Sequence, residues 1–298
     1  MTEQHFSTAD EKPSDTGLPT TVIQPSRGWA PAKLKDLFLF RELLYFLIWR
    51  QLKVRYKQTV LGAAWAVIQP VAIMVVFSVF FGIVVRVPTE IPYWIFTLCG
   101  VVVWTYFSNA LNQASNSLVS QENLITKVYF PRLLIPIAAV LAGLIDFFIA
   151  FSVLVILIIV IPPRSHLSLV TMWAVPLFVA LVVVIALAVS LWLSALNVQY
   201  RDVRLLVGVM VQLWFFATPI IYPSNLIPDG WRTLYQILNP MVGIVEGFRW
   251  ALLGQAAPPG EASPPDLLFA ISMLLVVGVL ISGLYYFRRV EKIFADVV

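Results

Sequence analysis

Residues 224–255 read SNLIPDGWRTLYQILNPMVGIVEGFRWALLGQ, and whether this stretch crosses a membrane decides the fold. Pro228, Gly230, Pro240 and Gly243 interrupt it. Neither half is a clean run of the roughly 20 apolar residues needed to span hydrocarbon. The pattern predicts a re-entrant helical hairpin over about residues 224–255, its irregular backbone buried in protein.

Outward from it the chain is strongly apolar. Of 298 residues, 60% are hydrophobic and only 12% charged, against roughly a quarter charged in a soluble domain. The class is an all-α integral membrane protein. Six spans are expected at about 60–85, 92–117, 133–161, 171–196, 205–222 and 266–287, with the hairpin between the fifth and sixth. Residues 1–32 form a polar tail with little to bury, expected to be disordered. Residues 33–58 mix Leu and Phe with seven basic side chains, the composition of an amphipathic helix in the membrane interface. Residues 59–298 make up the transmembrane domain.

Charge sets the orientation. With both termini inside, sixteen basic residues fall on the cytoplasmic side, and four (Arg86, Arg164, Arg232 and Arg249) fall outside. That asymmetry follows the positive-inside rule, which also accounts for the net charge of +4 without nucleic acid. The expected location is the cytoplasmic membrane, multi-pass, with the hairpin on the outer side.

Several chemistries are excluded. Cys99 is the single cysteine, and His5 and His166 are far apart, so neither a disulfide within the chain nor a metal cluster is expected. No phosphate-binding glycine loop, zinc-protease motif or nucleophile elbow occurs, so no catalytic residue is assigned. Any ATP and magnesium must be bound by another chain.

Ionisable groups inside spans are the usual functional flags. Asp146, near the middle of the third span, could be a proton or substrate site. With few relay partners in view, a carboxyl satisfied by an adjacent helix is the better reading. Glu246 and Arg249 stand three residues apart in the hairpin, where a helical pair would neutralise itself. Two cytoplasmic loops could dock a soluble subunit. One is SQENLITKVYFPRL (120–133), with Glu122, Asn123, Lys127, Tyr129, Phe130 and Arg132; the other is NVQYRDVRL (197–205), with Tyr200, Arg201 and Asp202. Each could equally be a solvated linker. Aromatic belts at the two interfaces account for Trp94, Trp173 and Trp231. The deeper Trp214, Phe215 and Phe216 in QLWFFATPIIYP (212–223) suit either core packing or contact with the C–H faces of sugars. Thr218-Pro219 weakens the helix there, since proline removes a backbone donor and crowds the preceding turn.

Four stretches carry a resemblance: WRQLKVRYKQTVLGAAWAVIQP (49–70), NSLVSQENLITKVYFPRLLIP (116–136), LSALNVQYRDVRLLVGVMVQLWFFATPIIYP (193–223) and LNPMVGIVEGFRWALLG (238–254). From about residue 33 onward the chain resembles the membrane subunit of ABC-2 type polysaccharide exporters, which move O-antigen, capsule and teichoic-acid glycans. The resemblance implies a homodimer bound to two copies of a separate ATPase, exporting a polysaccharide carried on a polyprenyl diphosphate. It implies that Glu122, Asn123, Lys127, Tyr129, Phe130 and Arg132 belong to the coupling helix on the ATPase. It places Arg50, Lys53, Arg55 and Lys57 at the lipid-headgroup entrance, where anionic bilayer lipid is the alternative partner. Trp104, Tyr106, Phe107, Trp214, Phe215, Phe216 and Tyr222 would line the channel, and the hairpin would form its outer gate. Export of a non-sugar lipid or drug stays open as the alternative.

Overall fold

The computed structural model describes residues 39–57, 62, 64–127, 130–161, 168–200, 202–254 and 260–291. The tail 1–32, the start of the predicted interfacial helix, Tyr129 and Arg201 lie outside the described residues. Every described residue falls in the unit Leu34–Val298, and no strand occurs among them.

Among the described residues ten α-helices follow in order: α1 (Arg41–Lys57), α2 (Ala64–Phe77), α3 (Tyr93–Ser120), α4 (Glu122–Lys127), α5 (Leu134–Val160), α6 (Val175–Gln199), α7 (Val203–Phe216), α8 (Asp229–Leu238), α9 (Pro240–Leu253) and α10 (Leu267–Glu291). A widened π-helical turn, Ser78–Val84, prolongs α2, and a 3₁₀ turn, Met172–Ala174, leads into α6. Among the described residues five helices are long and apolar enough to cross a membrane: Ala64–Val84, Tyr93–Ser120, Leu134–Val160, Met172–Gln199 and Leu267–Glu291.

α3 is the axis. It packs against α2, α5, α6, α7 and α9, and 78% of its apolar window is buried. Burial inside protein lets this helix hold Ser115, Ser117, Asn112 and Asn116, which satisfy themselves on carbonyls one turn back or on neighbours. Asn197 of α6 donates to the Ser115 carbonyl at 2.9 Å and to the Asn116 side chain at 3.1 Å. A polar group in a dry interior needs such a partner.

The two ends of the bundle are tied differently. At one end Arg50 of α1 donates to Gln121 at 2.9 Å, Arg132 bonds the last residue of α10, Glu291, and Tyr286 donates to Gln199. At the other end Glu261 accepts from the backbone N–H of Glu90 at 2.9 Å and of Ile91 at 3.4 Å.

Two sequence expectations change. The fifth span, expected over 205–222, is a helix of only 14 residues that stops at Phe216. At 1.5 Å per residue it reaches about 21 Å, short of the roughly 30 Å hydrocarbon layer. Thr218-Pro219 ends it, and Ala217–Pro223 continue as turns whose core, Thr218 to Ile221, is buried. The predicted interfacial helix survives as α1 but does not divide into apolar and polar faces. Leu47 and Leu52 turn inward, while Tyr45, Phe46, Trp49 and Val54 are exposed beside exposed Arg41, Lys53 and Lys57.

Candidate functional site

The site is built around the place where α7 ends. Irregular backbone at membrane depth is tolerated only when protein satisfies it, and two hairpin side chains do so. Arg249 of α9 is fully buried. It donates to the carbonyls of Phe96 at 3.0 Å, Pro219 at 2.9 Å and Ile220 at 2.9 Å, and its guanidinium lies 3.6 Å from the centre of the Phe96 ring. The hydroxyl of Tyr93 caps the next carbonyl, Ile221, at 2.6 Å. Gly100 of α3 leaves the room: a Cβ there would stand 2.8 Å from Arg249 Nη2.

Asn239, at the joint between α8 and α9, is the second tie. Its amide donates to the Ala217 carbonyl at 2.7 Å and the Thr218 hydroxyl at 3.2 Å. Its oxygen accepts from the Trp214 indole at 2.9 Å and from the Met241 N–H at 3.2 Å, capping α9. Pro240 in the first turn is the residue type that needs no donor there. One amide therefore holds both the end of α7 and the start of α9.

Glu246 and Arg249 do not form the predicted self-neutralising pair, because Arg249 is committed to backbone carbonyls. The Glu246 carboxyl is buried, with one oxygen lacking a hydrogen-bond partner among the described residues. Burial pushes its pKa up, against nearby Ser224, Ser263 and Arg249. Burial likewise raises that of Glu261, opposed by the N–H groups of Glu90 and Ile91. The same burial lowers Arg249 to about 10, which leaves it charged at neutral pH.

Of the seven aromatic residues singled out, the fold gathers five. Trp104 meets Phe107, Trp214 and Phe215 with ring centres at 5.4, 6.5 and 5.7 Å. Phe107 meets Trp214 at 5.1 Å, and Phe215 meets Phe216 at 5.3 Å. Trp104 and Phe107 are buried in this cluster, whereas Phe216 is exposed. Tyr106 stands apart: it is buried, donates to the Val140 carbonyl and packs on Phe147. Tyr222 folds back to donate to the Phe216 carbonyl and lies 3.4 Å from the Tyr235 hydroxyl.

The basic cluster of α1 divides in two. Lys53 and Lys57 are exposed, while Arg50 holds Gln121 and Arg55 forms an ion pair with Asp146 and a hydrogen bond to Gln113. Tyr56 donates to the other Asp146 oxygen. Burial, reinforced by that bond, pushes Tyr56 up to about 12, so it remains a donor. Asp146 is thus satisfied by a neighbouring helix, and that helix is α1. Asp146 lies twelve residues into α5, about 18 Å along its axis, so the last turn of α1 reaches in toward membrane depth.

At the same end, α4 is a six-residue helix anchored by buried Ile125, with Phe130 buried just beyond. Glu122, Asn123 and Lys127 are exposed. In the second loop Tyr200 and Asp202 are exposed as well. No cluster of metal-ligating side chains occurs among the described residues.

Sequence reasoning missed Asn239 and the carbonyl-capping role of Arg249. An Asn-Pro pair opening an apolar helix was the available signal for Asn239, since Asn is a favoured cap and Pro a favoured first residue.

Among the described residues five helices are long enough to span and a sixth stops short, while in the hairpin α9 is buried and α8 has no buried residue; comparison with known proteins defines the class. Residues 42–253 match the family described as ABC-2 type transporter, and the chain belongs to that family. It is 30% identical over 263 residues to the O-antigen export system permease protein RfbA of Myxococcus xanthus, covering 87% of this chain and 96% of that one. A Klebsiella pneumoniae protein of the same name is 29% identical over 265 residues, with the same coverage. The polysialic acid transport protein KpsM of Escherichia coli is 23% identical over 255 residues, covering 83% of this chain and 92% of that one.

Proposed function

We propose that this chain is the transmembrane subunit of an ATP-driven exporter that moves a polyprenyl-diphosphate-linked polysaccharide across the cytoplasmic membrane. The supporting observation is the match along 96% of the length of an O-antigen export permease. Two copies form the channel, and two copies of a separate ATPase drive it. Of six crossings, the fifth is made by α7 and the buried turn that follows it. Both termini lie in the cytoplasm, and the hairpin α8–α9 lies outside.

α4 suits the coupling contact. Its polar side chains are exposed, while Ile125 and the Arg132–Glu291 contacts fix its base to the bundle. A push on so short and well-anchored a helix is transmitted to α3 and α10 without being absorbed in the loop. Lys53 and Lys57 are the α1 cations placed for a phosphate-bearing headgroup. The channel face would be Phe216 and the neighbouring rings.

The test is removal of the chain from its host, followed by complementation. Surface polysaccharide should disappear and lipid-linked glycan should build up inside, and the chain should co-purify with an ATPase in equal amount. Hydrolysis stimulated by hydrophobic drugs and indifferent to lipid-linked glycan would overturn the reading.

A further inference from the structure

A cavity of about 220 Å³ opens among α1, α2, α3 and α5. That is room for several waters or for one ring-sized polar ligand. Its wall carries Thr105, Asn109 and Gln113, spaced four residues apart on one face of α3. Gln69 and the ring of Trp65 face them from α2, and the Asp146–Arg55 pair closes one side.

Three features of this wall call for a ligand. First, exposed Gln69 and half-buried Thr105 and Asn109 have no side-chain hydrogen-bond partner among the described residues and stand open to the cavity, in contrast to Asn112, Asn116 and Asn197 nearby. Polar groups inside a membrane domain that do not face one another mark a substrate path or a water-filled space. Second, amides and a hydroxyl both donate and accept, the requirement for a ligand made of hydroxyl groups. Third, the charge is balanced. Arg55 already faces Asp146, so an incoming diphosphate would meet a carboxylate and gain little, whereas a neutral polyol would lose nothing.

The geometry points to a sugar-binding site in this cavity, taking a single neutral pyranose against Trp65, Gln69, Thr105 and Asn109. This rests on the reading that the cargo is a glycan, but the site is separate from the aromatic cluster around Trp214. Arg55 then organises the site through Asp146 and does not itself bind phosphate. The headgroup contact falls to Lys53 and Lys57.

The experiment uses the full chain in its host, with Ala66, which lines the cavity without a polar side chain, changed in one strain as Ala66→p-benzoylphenylalanine and Trp214→p-benzoylphenylalanine in another. After irradiation and mild acid, which splits the glycosyl–phosphate bond, the adduct at each position is weighed by mass spectrometry. The expected result at position 66 is a peptide carrying sugar residues and no prenol. A prenol, a phospholipid, a second copy of the chain or no adduct at that position would each overturn the proposal. Surface glycan that persists after deletion of the chain would instead sink the export reading, so the two failures are distinguishable. As an independent measure, the double variant Gln69→Leu with Asn109→Leu should export about tenfold more slowly, with the amount of assembled complex unchanged. An unchanged rate would overturn the site.

Discussion

α2 and α3 are neighbours in sequence and opposites in environment. Only 11% of the apolar window of Ala64–Val84 is buried, against 78% for Tyr93–Ser120. α2 and the π-helical turn after it present Val75, Val76, Val79 and Phe80 outward, and Gln69, also exposed, lines the cavity. α3 hides both its apolar and its polar side chains. Lipid accepts only what is apolar, whereas a protein interior accepts polar groups provided each has a partner. The more polar helix is therefore the inner one, the reverse of the rule for a protein in water.

The contrast is most severely tested at Arg249, which joins α3 to the buried turn. Arg249→Leu removes the donor shared by the carbonyls of Phe96, Pro219, Ile220 and Glu261, and the expected destabilisation is about 3–5 kcal/mol, read as loss of folded chain in detergent. A fully folded variant would mean that the interior tolerates what the bilayer does not. Next in size is Val76→Asp on the exposed face of α2. Insertion should weaken by about 3 kcal/mol, measured by glycosylation mapping of the span. Unimpaired insertion would show that this face meets water or another protein, and the contrast with α3 would then narrow.

Asn239→Ala should cost about 2 kcal/mol, since the Trp214 indole and the Ala217 carbonyl would lose their shared partner. A shift in the intrinsic fluorescence of Trp214 should accompany the loss, and unaltered stability would free the α7 end from the hairpin. The smallest effect is on pH. The pKa values of Glu246 and Glu261 are raised on folding, chiefly by burial. The folded state therefore holds protons that the unfolded state has released. Stability should fall as pH climbs from the ordinary glutamate value through the raised one, and Glu246→Gln with Glu261→Gln should flatten that slope. A slope of opposite sign would break the argument.

Much of this architecture could be read from composition. Long apolar runs announce all five of the long spans among the described residues, and Pro228, Pro240 and Gly243 mark the breaks between the helices that follow. What escaped is pairing at a distance. Arg249 and Glu246 sit three residues apart, so proximity along the chain suggested a mutual pair. The winning partners of Arg249 were carbonyls of residues 96, 219 and 220, which no local pattern reveals. Asp146 was legible as a satisfied carboxyl, but its partners Arg55 and Tyr56 are about ninety residues upstream. The basic cluster of α1 looked uniform because charge alone was visible. Depth in the fold separates Arg50 and Arg55 from Lys53 and Lys57. The fifth span was drawn too long because apolar side chains continue through Ile220 and Ile221, although the helix does not.

The Arg249 contacts also bear on how the chain is made. Phe96 emerges from the ribosome roughly 150 residues before the arginine that will bond its carbonyl. At about 5–20 residues per second, that interval lasts on the order of ten seconds or more. Through it α3 stands in the bilayer with its serines and asparagines bonded to its own carbonyls but without the arginine that will join it to the buried turn. The protein must finish its interior from the late end of the chain, which makes the segment after Pro240 the closing stitch of biogenesis. A nascent chain cut before residue 249 should be recognised by membrane proteases as incomplete, even though its first four long spans have already been synthesised.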